Sequence, residues 1–198
     1  MTEILYTIVN INARALRDVI LTGGKKMNKS VKKLAFCGMF AAFIFVLTMF
    51  IKFPVASGYV HFGDALLYIA SLILGPWGIL AGAIGEGLAD IAGSYVIYAP
   101  ATVIIKAAVA VPFILAERKN EKKNIKRLLT PLTASMTAVS GVITVAGYFF
   151  ADLIIDKSYA IVDIPGNVIQ AVGSAVIFCI IAAAFDKADI KNRISIRS

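Results

Sequence analysis

Three ionisable residues, Glu86, Asp90 and Lys106, lie within long apolar stretches of the sequence. A charged side chain is costly at bilayer depth, and it is retained where it faces a bundle interior or a water-filled cavity and has a partner. Glu86 and Asp90 are four residues apart, which places them on neighbouring positions of one helix face. The three residues therefore predict a polar site inside a membrane protein, where a polar compound is bound or moved.

Further polar residues lie where the same apolar stretches begin or end. Among them are an acid close to the lone histidine, two tyrosines three residues apart and two amides three residues apart. If these side chains converge, they form a polar pocket that opens outward, with tyrosine rings available to stack on a flat ligand. The candidate substrate-binding residues are His61, Asp64, Glu86, Asp90, Tyr95, Tyr98, Lys106, Asn167 and Gln170.

A purely structural interpretation stays open for several of these residues. Asp90 or Glu86 could neutralise Lys106 and lock two helices together, because buried ion pairs can serve packing specificity rather than binding. The two tyrosines could instead belong to an aromatic belt at the membrane interface. Asp152, four residues after Tyr148, is expected at an exposed helix end.

The composition is that of a membrane protein. Of the 198 residues, 59% are hydrophobic and 16% are charged, against about 45–50% and about 25% in an ordinary soluble domain. The mean hydropathy is +0.83. A spanning helix needs about 20 mainly apolar residues, and six such segments, the second of them short, predict an all-α membrane protein with six transmembrane helices. The segments are Lys33–Ile51, Phe62–Gly75, Trp77–Gly93, Pro100–Ala116, Pro131–Ile155 and Pro165–Phe185.

The positive charges orient these helices. Seventeen of the twenty Lys and Arg residues lie in residues 1–33, in residues 117–127 or after residue 186. The positive-inside rule puts all three regions in the cytoplasm, and six crossings place them on one side, so both termini are expected there. The net charge of +8 then needs no nucleic-acid partner, which would require a solvated basic face with polar or aromatic readers. The loops expected outside are residues 52–61, 94–99 and 156–164.

One membrane domain is expected over residues 27–190, with a cytoplasmic tail over residues 191–198. Residues 1–26 lack the sustained apolar core and small-residue cleavage site of a secretory signal. We interpret them as a non-native or disordered leader, with Met27 as the natural start. The intact mass of protein expressed from its own promoter tests this interpretation, and a species beginning at Met1 would overturn it.

Small residues recur every four positions on two of the predicted helices. On the first helix, Gly38 and Ala42 form a pair that allows close contact with another helix. The ladder on the third helix consists of Ala81, Gly85, Ala89 and Gly93.

The sequence contains no motif that indicates an enzyme, a metal site or a cofactor. A phosphate-binding G-x-x-x-x-G-K-[ST] loop, H-E-x-x-H and G-x-S-x-G are absent, although each is the signature of a specific chemistry. Cys37 and Cys179 lie in apolar stretches without metal-ligand spacing, and His61 is the single histidine. A zinc site is therefore not expected.

Short motifs in the central part of the chain point to a family. They are HFGDA at 61–65, LGPWG at 74–78, GLAD at 87–90, GSY at 93–95 and APATVIIK at 99–106, with a weaker one, IPGNVIQ, at 164–170. Together they resemble the substrate-binding S components of energy-coupling factor (ECF) vitamin transporters, in the riboflavin-type or hydroxymethylpyrimidine-type group. The resemblance covers about residues 28–186.

The resemblance implies a six-helix membrane fold with one substrate pocket near the outer face, closed by the loop over residues 52–61. It also implies partners, namely a transmembrane coupling subunit and two cytoplasmic ATPases. In the family, small residues on the first helix dock the coupling subunit, a role that carries over to Gly38 and Ala42. The implied mechanism is that the S component tips over in the lipid bilayer and releases its vitamin inward when ATP is used.

We therefore predict a non-enzymatic substrate-binding subunit in the bacterial plasma membrane. Its expected substrate is a small heteroaromatic vitamin or precursor of the hydroxymethylpyrimidine, pyridoxine or riboflavin class, with no cofactor. One alternative is a self-sufficient, proton-coupled secondary carrier that uses Asp90 and Lys106 as a relay, although the internal repeats common in carriers are not visible. Another alternative is an assembly partner that binds no small ligand.

Overall fold

The computed structural model describes residues 28–54 and 59–194. The predicted leader over residues 1–26 and the end of the predicted tail lie outside these described residues. The chain divides into two compact units, residues 1–32 and 33–198. Of the first unit, the structure describes residues 28–32, and the first helix begins there at Lys29. The contacts that form the site belong to the second unit.

Helices make up most of the described residues, and each of the six predicted segments contains one. Five of these helices begin and end within a few residues of the predicted bounds, whereas the fourth continues six residues further. In chain order the elements are α1 (Lys29–Phe50), β1 (Lys52–Pro54), β2 (Tyr59–His61), α2 (Gly63–Leu74), α3 (Pro76–Ala92), α4 (Ala99–Lys122), α5 (Pro131–Ile155), α6 (Ile164–Lys187) and α7 (Ile190–Ile194).

Four helices in the described part of the chain, α1, α4, α5 and α6, are long and apolar enough to cross a membrane. Helix α2 is apolar but has only 12 residues, and α3 has 17. At a rise of 1.5 Å per residue, α2 is about 18 Å long, which is shorter than the hydrocarbon core of about 30 Å. The chain is thus a mainly helical membrane protein with four candidate spans.

The start of α5 shows how local sequence fixes a helix end. Thr130 and Thr133 form a capping box, in which the Thr130 hydroxyl accepts from the Thr133 N–H at 3.1 Å and the Thr133 hydroxyl from the Thr130 N–H at 2.8 Å. Pro131 follows at the first helical position, where its missing N–H costs no hydrogen bond. Asp186 of α6 accepts the N–H groups of Leu128 and Leu129 at 2.7 and 3.0 Å, so the preceding turn is held to α6.

Strands β1 and β2 form an antiparallel hairpin within the loop that was expected outside. Lys52 pairs with His61, and Pro54 pairs with Tyr59. Because side chains two residues apart on a strand lie on the same face, Tyr59 and His61 point to the same side of the hairpin. The hairpin therefore presents both rings together to the helices beside it.

Helix α2 is the central helix of the fold, and eleven of its twelve residues are buried. Its Tyr68 ring stacks on Phe113 of α4 with centroids 4.3 Å apart, and it meets the edge of Phe178 of α6 at 5.9 Å. Such aromatic pairs add to the hydrophobic burial that holds a core together. The three rings fix α2 between α4 and α6, and this fixes the direction of the polar side chains at the start of α2.

The small residues on α3 allow close packing, as predicted. A Cβ atom on Gly85 would lie 2.7 Å from the Ala41 carbonyl oxygen of α1, so only glycine permits this approach of the two backbones. Ala81 and Ala89 are fully buried. At the corner before α3, Gly75 has a φ of 62°, a conformation that glycine adopts without the penalty of a side chain.

Candidate substrate-binding site

A buried ion cluster lies where α2, α3 and α4 meet. The Lys106 Nζ lies 2.7 Å from Asp64 Oδ1, 2.9 Å from Asp64 Oδ2 and 3.1 Å from Glu86 Oε2. All three side chains are fully buried. Neither oxygen of Glu86 makes a hydrogen bond of good geometry among the described residues. One lysine thus faces two acids from separate helices, and its single positive charge is shared between them.

Gln170 of α6 joins this cluster to the hairpin. Its side-chain Nε2 donates to Asp64 Oδ2 at 2.9 Å, and its Oε1 accepts the backbone N–H of His61 at 3.3 Å. Gln170 is itself buried. A buried amide whose two ends are both bonded holds its neighbours in one arrangement, because breaking either bond leaves a buried polar group unsatisfied.

The ring of His61 has a defined tautomer. Its Nδ1 accepts the Gly63 N–H at 3.2 Å and lies 3.4 Å from the Thr48 hydroxyl, so the ring proton lies on Nε2. That nitrogen faces Glu86 Oε2 at 3.5 Å. Burial, and then the positive charge of Lys106, lowers the pKa of His61 to about 3. The imidazole is therefore neutral at pH 7 and acts as a hydrogen-bonding link.

A pocket lies beside the cluster, at the end of the bundle where α3 and α5 end and α4 and α6 begin. Its cavity volume is about 50 Å³, which is room for a few waters. A vitamin-sized ligand therefore requires the tyrosines or the hairpin to move. The lining residues are Tyr59, His61, Asp90, Tyr95, Tyr98, Thr102, Tyr148, Asp152, Asp163, Asn167 and Gln170.

Two tyrosine–aspartate pairs are the main polar feature of this pocket. The Tyr59 hydroxyl donates to Asp90 Oδ1 at 2.7 Å, and the Tyr98 hydroxyl donates to Asp152 Oδ1 at 2.9 Å. The Oδ2 atoms of both aspartates are buried and make no hydrogen bond among the described residues. Each carboxylate thus accepts a hydrogen bond from a tyrosine through one oxygen, and its other oxygen remains available as an acceptor.

Asp152 is only 1% exposed, so the expectation of an exposed helix end was wrong. The physical reason is that Tyr98, at the start of α4, reaches across and covers the carboxylate through its hydroxyl. The sequence separates these two residues by 54 positions, and spacing along one helix cannot reveal such a partner.

The remaining tyrosines complete an aromatic wall. The rings of Tyr59 and Tyr95 meet edge to face with centroids 5.0 Å apart. On the other side, the Tyr148 hydroxyl lies 3.1 Å from the Thr102 hydroxyl. Burial, and then the negative charge of Asp90, raises the pKa of Tyr59 well above its usual range. Tyr59 therefore stays protonated and remains a donor to Asp90.

The structure divides the nine predicted binding residues into two groups. Six line the pocket, and their binding role remains a prediction: His61, Asp90, Tyr95, Tyr98, Asn167 and Gln170. The other three, Asp64, Glu86 and Lys106, are sealed in the ion cluster and do not line the pocket. The pairing of Glu86 with Lys106 that the structural interpretation raised is present, with Asp64 rather than Asp90 as the second acid.

Five pocket residues lie outside the predicted set. Three had a visible signal, since Tyr148 and Asp152 are four apart near the end of α5, and Thr102 precedes Lys106 by one helical turn. Tyr59 and Asp163 lie between the predicted helices, where no periodicity indicates a direction.

The predicted docking residues on α1 lie on an open face. Gly38 and Ala42 are both exposed, and a Cβ atom on Gly38 would meet no other atom within 4 Å. Their role in docking remains a prediction. Within residues 28–54 and 59–194, no group of three or more His, Cys, Asp or Glu side chains is arranged to hold a metal ion.

A helical membrane protein with a polar, aromatic pocket at one end of its bundle is the class that the fold and the site define. Residues 28–187 match the family model of the ECF-type riboflavin transporter S component, and the chain belongs to that family. The chain is also 29% identical over 136 residues to a Pyrococcus woesei protein described as an uncharacterized protein in the gap 3' region, a match that covers 67% of this chain and 86% of that protein. No solved structure matches the chain.

Proposed function

We propose that this chain is the substrate-binding subunit of an ECF transporter that captures a small heteroaromatic vitamin or vitamin precursor at the outer face of the membrane. Besides family membership, one observation carries this proposal: four tyrosines and three aspartates converge on one pocket beside a buried ion cluster. Aromatic rings provide flat apolar contact, and a few placed polar groups fix the orientation of a ligand.

The two parts of the site have different roles in this proposal. The tyrosine rings stack on the substrate ring, while Asp90, Asp152 and Asn167 accept or donate hydrogen bonds at its edge. Lys106, Asp64 and Glu86 hold α2, α3 and α4 together beside the pocket. The hairpin carries Tyr59, so its movement opens and closes the pocket.

We propose that six helices cross the bilayer, with α2 and α3 completing the set, and that both termini are cytoplasmic. The pocket lies at the end of α4 that begins with Ala99, whereas the basic residues 117–127 follow at its other end. The positive-inside rule then puts the basic end in the cytoplasm and the pocket outside.

The proposed partners are a transmembrane coupling subunit and two cytoplasmic ATPases. The open face around Gly38 and Ala42 supports docking on α1, because small residues let another helix approach. We expect Gly38→Leu to abolish copurification of the coupling subunit while leaving substrate affinity unchanged. Ile180→Leu, on an exposed position of α6, is the matched control and should retain the subunit. Normal copurification of Gly38→Leu would contradict this docking face.

The decisive experiment is to purify the full chain, denature it and identify the released small molecule by mass spectrometry. Calorimetric titration with hydroxymethylpyrimidine, pyridoxine and riboflavin then measures affinity. In vesicles, the chain alone should bind substrate without net transport until the coupling subunit and ATPases are added. Transport by the chain alone would favour the proton-coupled carrier, and the absence of any bound or binding compound would favour an assembly partner.

A further inference from the structure

We infer that the pocket selects an aromatic compound that is positively charged or carries an amino group, over one that has neither feature or is anionic, and that Asp152 and Asp90 are the residues that select it. This inference rests on the proposed function, since it names the chemical class of substrate for the same site. The first observation is charge. Among the eleven lining residues are three aspartates and no lysine or arginine.

The lysines near Asp90 and Asp152 are shared with other groups. Lys106 is fully buried and is shared between Asp64 and Glu86, so its charge is already met by two acids. Lys52 lies at the edge of the hairpin, where its ammonium group sits 4.5 Å from the centre of the Tyr59 ring. The pocket lining therefore carries carboxyl groups and no ammonium or guanidinium group, and carboxylates attract a cation and repel an anion.

The second observation is that two buried acceptor oxygens lack hydrogen-bond donors among the described residues. Asp152 Oδ2 and Asp90 Oδ2 are buried and make no hydrogen bond of good geometry among the described residues, although the Thr102 hydroxyl lies near the Asp90 carboxyl group. A buried acceptor without a donor is unfavourable. An N–H group on a ligand satisfies such an oxygen, and a hydrogen bond with an ionised partner is about twice as strong as one between two neutral groups.

The third observation concerns the ring faces. Two pocket tyrosines already hold ammonium groups, with Lys52 over Tyr59 at 4.5 Å and Lys106 over Tyr148 at 5.4 Å. These are distances at which a cation is attracted by the face of an aromatic ring. A cationic or electron-poor ring that stacks on a pocket tyrosine is attracted in the same way, with carboxylates at its edge, whereas the two lysines repel a cation that comes close to them.

The test uses the full chain in detergent and pairs of compounds that differ at one group. One pair is 4-amino-5-hydroxymethyl-2-methylpyrimidine and the same pyrimidine with an oxo group in place of the amine. The other pair is pyridoxamine and pyridoxine, with pyridoxamine phosphate as the anionic form. Thiamine and riboflavin add a cationic and a neutral ring of larger size.

We expect the amine of at least one pair, or thiamine, to bind, and to bind at least about tenfold more tightly than its oxo, hydroxyl or neutral counterpart, the scale of one hydrogen bond to a charged group. The phosphorylated compound should bind more weakly than its parent. Riboflavin or the phosphate binding as tightly as the amines would overturn the inference, and so would the failure of every amine and cation to bind.

Asp152→Asn replaces the buried acceptor oxygen by a donor and should weaken amine binding by roughly 10–100-fold, as expected for the loss of a charged hydrogen bond. Asp90→Asn is the second variant, which serves if the first does not fold. Asp189 is exposed and follows the carboxyl end of α6, whereas the pocket lies at the amino end of that helix. Asp189→Asn is therefore the matched control and should leave affinity unchanged. Unchanged amine affinity in folded Asp152→Asn and Asp90→Asn would contradict the assignment.

Different results would contradict the inferred selection by charge and the proposed function. If riboflavin binds tightly and neither aspartate matters, selection by charge is wrong while the substrate-binding subunit stands. If the purified chain alone transports, or if it carries and binds no compound at all, the proposed function itself is wrong.

Discussion

In the buried ion cluster, Asp64 and Glu86 both face the ammonium group of Lys106, whereas in the pocket Asp90 and Asp152 face tyrosine hydroxyls. The two regions are built from the same kind of acid on the same bundle of helices. In the first region the counter-charge comes from the protein. In the second region the tyrosines supply hydrogen bonds but no charge.

This difference separates structural from binding acids. A buried charge needs an opposite charge or several donors to be stable. The acids of the cluster face the positive charge of Lys106 whether or not a ligand is bound, so they can always hold the helices together. Asp90 and Asp152 in the pocket each accept a hydrogen bond from one tyrosine. A ligand with N–H donors can supply further hydrogen bonds to them. The following predictions test this contrast, from the largest expected effect to the smallest.

Lys106→Met should have the largest effect on stability. It leaves Asp64 and Glu86 buried side by side without a counter-charge, and breaking a buried pair in this way costs about 3–5 kcal/mol. Thermal or denaturant unfolding in detergent measures the loss. Lys122→Met, at an exposed position of the same helix, is the control and should be close to neutral. Equal stability of the two variants would mean that the cluster does not hold the helices.

Gln170→Leu should reduce both stability and substrate affinity, because Gln170 belongs to the cluster and to the pocket. The change leaves Asp64 Oδ2 without its amide donor and the His61 N–H without an acceptor, at a cost of about 1–3 kcal/mol. Unfolding and calorimetric titration are measured on the same preparation. Ile169→Leu, on the exposed neighbour, is the control. A loss of only one property would show that the two regions are independent.

Stability should also fall as the pH is lowered below about 6.5. Because the folded-state pKa of His61 is lowered to about 3, the unfolded chain takes up a proton that the folded chain excludes. The stability is therefore present above pH 6.5 and is lost toward pH 3, by about 1.4 kcal/mol between pH 7.5 and 5.5. Unfolding between pH 7.5 and 5.5 checks this, and His61→Gln should flatten the profile. An unchanged slope in that variant would exclude His61 as the cause.

Tyr98→Phe should have the smallest effect. It removes the donor to Asp152 Oδ1, but the pocket has room for water to replace the hydroxyl, so the loss of stability should be about 0.5–1.5 kcal/mol. Amine affinity should change only a few-fold, because the carboxylate keeps its charge. Tyr159→Phe, outside the pocket lining, is the control. A loss as large as that of Asp152→Asn would mean that the tyrosine, not the acid, dominates binding.

Much of the helical architecture could be predicted because long apolar segments and prolines near helix starts mark it plainly. Helix α5 begins at Pro131 and ends at Ile155, as predicted. Helix α4 was predicted to end at Ala116, before the charged run, but it continues to Lys122. Glu117 is buried in this extension and pairs with Lys191 at 2.6 Å, a partner far along the chain that the local composition could not indicate.

The site was only partly predictable for a related reason. Hydropathy identifies which charges are buried, but it does not tell which pairs they form. Asp64 was expected to bind ligand, and yet it meets Lys106 because α2 packs against α4 at that level. Tyr59 reaches the pocket through a hairpin whose strands have three residues each, too short to leave a periodic pattern.

The short length of α2 has a consequence for the lipid around the protein. Helices that face lipid must match the thickness of the hydrocarbon layer by tilting or by deforming it. Eleven of the twelve residues of α2 are buried, so this helix contacts other helices rather than lipid. Its length therefore does not have to match the thickness of the hydrocarbon layer. Asp64 near its start is therefore insulated from changes in bilayer thickness, and membranes of different lipid length should strain the outer helices before they disturb the ion cluster.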